Sequence, residues 1–511
     1  MNLTPVLDDL KEEIKVQAMD CGLDFFDVAF EVLSHDQINQ VASLGGFPTR
    51  YPHWRFGMEY ERLSKSYTYG LSKIYEMVIN NDPCYAYLMI SNPVGDQKLV
   101  MAHVYAHSDF FKNNCYFAHT TKKAIDEMAN HGARIRGIAE RFGHETVETF
   151  LDCCLSIENM IDPHSTGIRR QDVVPAETQL VDEEDDTLKV ERIRSKDYMD
   201  RFVNPREFLE RKRRELEDER KKKKHIPEEP ERDLLHFLIQ YAPLERWQRE
   251  ILTIIRDEAY YFAPQGMTKI MNEGWATYWH SKMMTEKLAT DQEIVDYADH
   301  HSGTVAMAPG QLNPYKIGLE LYRDIEERWN KGQHGPEWDR CDDFERRRGW
   351  DTKANAGREK IFEVRRVHND VTFIDAFLTK DFCEEHKLFA YRYNRKSGLY
   401  EIASRDYLDV KRQLLATLTN SGQPFIYVVD ANYANRGELY LRHRFEGVEL
   451  KLDHARDTLQ NIQVIWNRPV HIETVVSGKG RLLSYDGSEH HESEAVVEVE
   501  EQYEQQYESQ Y

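Results

Sequence analysis

The feature that most narrows the fold is a change of periodicity about two thirds of the way along the chain. Before about residue 330, apolar residues recur at helical spacing, as at Val6, Leu10, Ile14 and Ala18, which predicts an amphipathic helix within 5–33. LSKIYEMVIN, LVMAHVYAHSDFFKNN and two segments within 122–160 also read as helices, the first stopping near Pro83. CYAYLMIS fits a strand or a buried helical turn equally well. From about residue 367 the texture becomes short alternating runs: KLFAYRYN, LYEIAS, PFIYVVD, ELYLRHRF and VELKLDH. Polar turns such as NRKSG and NRGE separate them, so they read as strands, interrupted by one helix, DYLDVKRQLLATLTN. The expected class is α+β, a mainly helical N-terminal domain followed by a smaller β-rich one.

Composition places the boundaries. Residues 1–162 and 233–335 read as two parts of one helical core, with 163–232 between them as a charged insertion, 360–487 as the α+β domain and 488–511 as a disordered acidic tail. Between Arg206 and Lys224, 16 of 19 residues are charged, and six of those are acids that interrupt the basic residues around KKKK. That mixture fits a solvated or mobile segment better than a nucleic-acid arm. Of the net charge of −22, the stretch Glu489–Tyr511 supplies −8, and the −14 elsewhere argues against broad phosphate-backbone binding.

No apolar run approaches the roughly 18 residues that a membrane span needs. The opening MNLTPVLDDLKEEIKV carries acids where a signal peptide carries bases, so a cytoplasmic location is expected. Seven cysteines without a CxxC pair predict reduced thiols and argue against a zinc–thiolate site. The phosphate loop GxxxxGK[ST], a strand-led GxGxxG and the GxSxG elbow are all missing, which removes the usual support for ATP, nicotinamide and serine-hydrolase chemistry.

The segment richest in chemistry is AHVYAH. His103 and His107 are four apart, so a helix presents both imidazoles on one face, the arrangement that delivers two nitrogens to one metal ion. Val104 stands where HExxH zinc sites hold their general-base Glu, so that mechanism is not expected. In MNEGWATYWH, Glu273 and His280 are seven apart and share a helical face; Glu273 is the expected third ligand, and His280 a fourth ligand or a substrate contact. Glu258, in RDEAYYFAPQ, is the expected proton-transfer group, with Asp257 beside it. Zn²⁺ suits His/Glu ligation best, with Fe²⁺ or Mn²⁺ as alternatives. The plainer reading is that the histidines satisfy backbone carbonyls and the Glu pairs with an Arg. His300-His301-Ser302-Gly303 reads as an exposed polar turn, and Asp109 as a helix cap or ligand contact.

Several long motifs occur in an order that resembles the SpoVR family (stage V sporulation protein R-like): FPTRYPHWRFGMEYERL, YGLSKIYEMVIN, MAHVYAH through DFFKNN, YYFAPQGMTKIMNEGWATYWHS and HSGTVAMAPGQLNPYKIGLELYRDIEERW. The resemblance runs to roughly residue 475, outside the charged insertion and the acidic tail. It implies a role in sporulation, at the spore cortex, or in stress response. It also implies a PrkA-type serine protein kinase and a von Willebrand-like protein as partners, and it supplies no catalytic residue set. Two functions follow as expectations: a metal-dependent, hydrolase-like enzyme, or a non-catalytic scaffold acting with that kinase system.

Overall fold

The computed structural model describes residues 3–68, 76–165, 205, 211–212, 226–394 and 396–495. The chain forms two compact units, each discontinuous in sequence: Met1–Glu148 with Tyr260–Gln423, and Thr149–Ala259 with Pro424–Tyr511.

In the first unit, helix α1 (Pro5–Asp20) opens with Pro5 in its first turn and with the Thr4 hydroxyl accepting from the Leu7 amide. Gly22, at φ 80°, takes the left-handed conformation that follows its end. Strands β1 (Val28–Leu33), β2 (Glu76–Ile79) and β3 (Cys84–Met89) form a sheet in the order β1-β3-β2, with β1 parallel and β2 antiparallel to β3. Helix α2 (Val94–Asn113) is buried on nearly every side from Asp96 to Phe111, as expected of a helix apolar around most of its circumference.

Helix α3 (Lys269–Met283) is almost as buried and packs against α2. Its N-terminal amides are held from outside the helix, with Ile270 and Met271 donating to the two Asp370 carboxylate oxygens at 2.8 and 2.9 Å. Helices α4 (Glu293–Thr304), α5 (Pro314–Lys331), α6 (Gly357–Val367) and α7 (Asp370–Phe377) belong to the same unit. Most of them share one apolar core with α1, β1 and β3.

The α3–α5 crossing is backbone against backbone. A Cβ on Gly274 would lie 2.4 Å from Gly318 Cα, and one on Gly318 would lie 2.2 Å from the Ile270 carbonyl oxygen. Glycine at both positions is what permits this approach. Strands β4 (Ala390–Asn394) and β5 (Leu399–Ser404) form an antiparallel pair in the same unit.

The second unit contains a five-stranded sheet of β6 (Phe425–Tyr433), β7 (Glu438–Arg444), β8 (Val470–Val476), β9 (Lys479–Tyr485) and β10 (His490–Glu494), ordered β10-β9-β8-β7-β6. Neighbours pair antiparallel except β7 and β8, whose parallel pairing is bridged by helix α8 (Leu452–Trp466), as a parallel crossover requires. Leu439 and Leu441 of β7 and Val470 and Ile472 of β8 are buried. Trp466 of α8 meets Phe237 of the helix Leu234–Tyr241 with ring centroids 6.0 Å apart. The fold is α+β.

Several local expectations need correction. The helix expected within 5–33 ends at Asp20, and Val28–Leu33 is a strand. CYAYLMIS contributes β3, and the C-terminal end of YGLSKIYEMVIN is strand β2 rather than helix, while residues 69–75 lie outside the described residues. VELKLDH is not a strand, because α8 begins at Leu452. The first unit extends to Gln423, beyond the boundary expected at 360, and takes in the β4–β5 pair. Residues 490–494 of the expected tail are strand β10, while 496–511 and most of the charged insertion lie outside the described residues. Among the described residues, no helix is long and apolar enough to cross a membrane.

Candidate metal centre

His103 and His107 stand one turn apart on α2, flanked by Ala102, Val104 and Ala106, small or apolar residues that let the helix pack closely. Their ring centroids are 4.5 Å apart, and both residues are buried, at 2% and 3% exposure. Glu273 faces them from α3. Its Oε2 lies 3.6 Å from His103 Nε2 and 3.5 Å from His107 Nε2. One ligand atom from each of the three residues falls within 4.8 Å of the others.

These separations suit a shared ion better than direct pairing. A charge-assisted N–H···O bond closes to about 2.7–2.9 Å. Two donors each about 2.1 Å from a tetrahedral ion stand about 3.4 Å apart. Glu273 Oε2 is buried and has no hydrogen-bond partner among the described residues. The donor set, two imidazoles and a carboxylate, fits a divalent ion.

The ring tautomers fit as well. His107 Nδ1 lies 2.9 Å from the side-chain carbonyl oxygen of Asn272, which can only accept, so Nδ1 carries the proton and Nε2 keeps its lone pair. His103 Nδ1 lies 2.7 Å from His280 Nδ1. With His103 donating there, its Nε2 likewise keeps its lone pair.

Burial drives the His280 pKa far below that of an ordinary imidazole, helped by His103, His301, His107 and Arg323, so His280 is the neutral acceptor this bond needs. For Glu273, burial raises the carboxyl, but the neighbouring imidazoles of His103 and His107 and a bond from Tyr315 outweigh it. The net shift is downward, toward the ionised form that binds metal.

The structure thus groups three of the four expected ligands. His280 is the exception. Seven residues of helix separate it from Glu273 by about 10.5 Å along the axis, too far for both to reach one ion. It meets the back of the His103 ring instead and acts as that ring's support. Glu258 is buried in the second unit and outside the grouped ligands. It lies on the helix Arg246–Met267.

Asp109 lies within α2, four residues before its end. It is fully buried, accepts from Trp275 Nε1 at 2.8 Å and from the Asp24 amide at 2.8 Å, and lies 3.5 Å from Arg365, tying α2 to α3 one turn below the histidines. Burial pushes its carboxyl up to about 6 despite the Arg365 charge and those bonds. His300 and His301 are within α4, not in a turn. Two contributors escaped sequence reasoning. Asn272 neighbours Glu273 in MNEGW, and Tyr315 follows the Asn313 cap of α5. Their only sequence signal is adjacency to other features.

A mainly helical unit with a two-histidine, one-glutamate cluster, and a second unit with a five-stranded sheet, is the arrangement to be placed. Residues 3–423 match the family described as SpoVR like protein, and residues 424–477 match the SpoVR-like C-terminal domain. The chain belongs to the SpoVR family. It is 30% identical over 495 residues to Uncharacterized protein YcgB of Escherichia coli (strain K12), across 92% of this chain and 91% of that protein. No solved structure matches the chain. The junction of the two family matches coincides with the boundary between the units after Gln423.

Proposed function

We propose that this SpoVR-family protein is a divalent-metal-dependent enzyme whose ion is held by His103 Nε2, His107 Nε2 and Glu273 Oε2. The observation that carries the reading is the buried triangle of donors, with the carboxylate oxygen 3.5 and 3.6 Å from the two ring nitrogens. Zn²⁺ fits the donors best, with Fe²⁺ and Mn²⁺ next. Three protein ligands are the number found in catalytic zinc sites, where the bound metal polarises a substrate carbonyl and acidifies a water. Asn272 and His280 orient the two imidazoles from behind.

Hydrolysis of an amide in a peptide or cell-wall precursor is the reaction class suggested by the spore-cortex role that the family resemblance implies. The same resemblance suggests a PrkA-type kinase system as the cellular setting.

Elemental analysis of the purified chain and its His103→Ala/His107→Ala variant tests the reading, with circular dichroism confirming that both are folded. Wild type should carry about one ion per chain and the variant almost none. Equal, near-zero metal in both would remove the proposal.

A further inference from the structure

Behind the His103 ring, three more polar rings pack together. His280 of α3 lies 5.7 Å from His301 and 6.2 Å from Tyr297, centroid to centroid, and the two α4 rings stack at 5.6 Å. His280 and Tyr297 are buried, at 3% and 6% exposure, and His301 is partly exposed. Each presents one buried polar atom without a hydrogen-bond partner among the described residues: His280 Nε2, Tyr297 Oη and His301 Nδ1. Buried polar groups are normally satisfied, so three orphans in one cluster mark a place built for something that accepts or donates. Helix α4, which brings two of the rings, is held against α2 by Lys98–Glu293 at 2.9 Å and Asp96–His300 at 2.8 Å.

The chemistry selects an acceptor. If His103 donates from Nδ1 to His280, as the metal reading requires, His280 Nε2 carries the remaining proton and is a donor. Tyr297 keeps its hydroxyl proton, since burial raises its pKa well above the usual value against the opposing charge of Arg323. Burial lowers His301, and Arg323 acts in the same sense. Glu320, which pairs with Arg323 at 3.4 Å, acts on His301 in the opposite sense. A second cation is a poor fit there, and no second group of three metal-ligating side chains occurs among the described residues. Neutral donors suit an oxyanion.

We propose that His280 Nε2, Tyr297 Oη and His301 Nδ1 form a carboxylate subsite that takes the acidic group of the substrate, with His301 on the side of entry. The inference deepens the metalloenzyme reading, and rests on it for the His280 tautomer, by naming the substrate class as carboxylate-bearing.

Acetate is the probe, titrated into the full chain, both zinc-loaded and metal-free, with binding followed by saturation-transfer NMR. Saturable binding that weakens about tenfold in Tyr297→Phe and in His301→Ala is expected, the loss of one hydrogen bond to a charged group. Zinc content should be unchanged in Tyr297→Phe, which removes a single oxygen. Absence of saturable binding overturns the subsite, as does binding that both variants retain at full strength. Binding seen only with zinc and indifferent to the variants places the acetate on the metal and overturns it equally. Zinc content is read separately, so a chain that binds acetate as expected but never takes up zinc leaves the subsite standing while the metal reading falls.

Discussion

At the scale of single residues, the site depends on which ring nitrogen carries a proton. Asn272 makes this decision for His107, since its carbonyl oxygen at 2.9 Å accepts only from a protonated Nδ1. Replacing Asn272 by Leu removes that constraint while keeping the volume similar, and should weaken zinc binding about 10–100-fold, measured by competition with a chromogenic chelator. Asn272→Asp supplies a stronger acceptor and should preserve affinity. Equal affinity in all three proteins would show that the ring needs no such partner. The histidine pair was legible in the sequence because a spacing of four on an apolar helix has one geometric meaning. Asn272 was not, because a support residue is defined by the neighbour it meets across the helix interface, and a linear pattern does not contain that neighbour.

At the scale of elements, the site is the meeting of α2 and α3, and the position of α3 is set from its other side by the crossing with α5. Gly274 follows Glu273 directly, so a displacement at the crossing moves the carboxylate. Gly274→Ala or Gly318→Ala forces a Cβ into backbone atoms 2.2–2.4 Å away. Each should cost about 1–3 kcal/mol in urea unfolding, and Gly274→Ala should weaken metal binding as well. A Gly274→Ala protein of unchanged stability would contradict the close crossing.

Helices were the more legible elements, and the errors have physical causes. In 5–33 the periodicity was read past Gly22, whose positive φ marks the end of α1. Residues 76–79 of YGLSKIYEMVIN are a strand because β3 offers them an antiparallel partner, a tertiary effect that local spacing does not encode. Glu273 and His280 do share a face as expected, but sharing a face over two turns does not bring two side chains to one point.

At the scale of the whole molecule, the two units are each assembled from separated stretches of sequence, so a linear reading placed the helix-to-strand change near 360 while the first unit continues to Gln423. Each unit buries histidines, and stability should therefore depend on pH. In the second unit His443 is 4% exposed, and burial depresses its pKa to about 4 against a small opposing effect of Glu446. The unfolded chain, with an imidazole near its ordinary 6.5, takes the proton first. The His443 contribution is thus complete above about pH 6.5 and is lost as pH falls toward 4, by about 2 kcal/mol at pH 5. Urea unfolding at pH 7 and pH 5 should show that His443→Gln flattens the wild-type difference by about this amount. An unaltered slope would mean that the ring reaches solvent.

The central claim is that α2 and α3 hold one divalent ion between them, and an anomalous difference map from zinc-soaked crystals tests it most directly. The account predicts a single strong peak about 2.1 Å from each of His103 Nε2, His107 Nε2 and Glu273 Oε2. A map with no peak there, or with zinc bound only elsewhere, would contradict it.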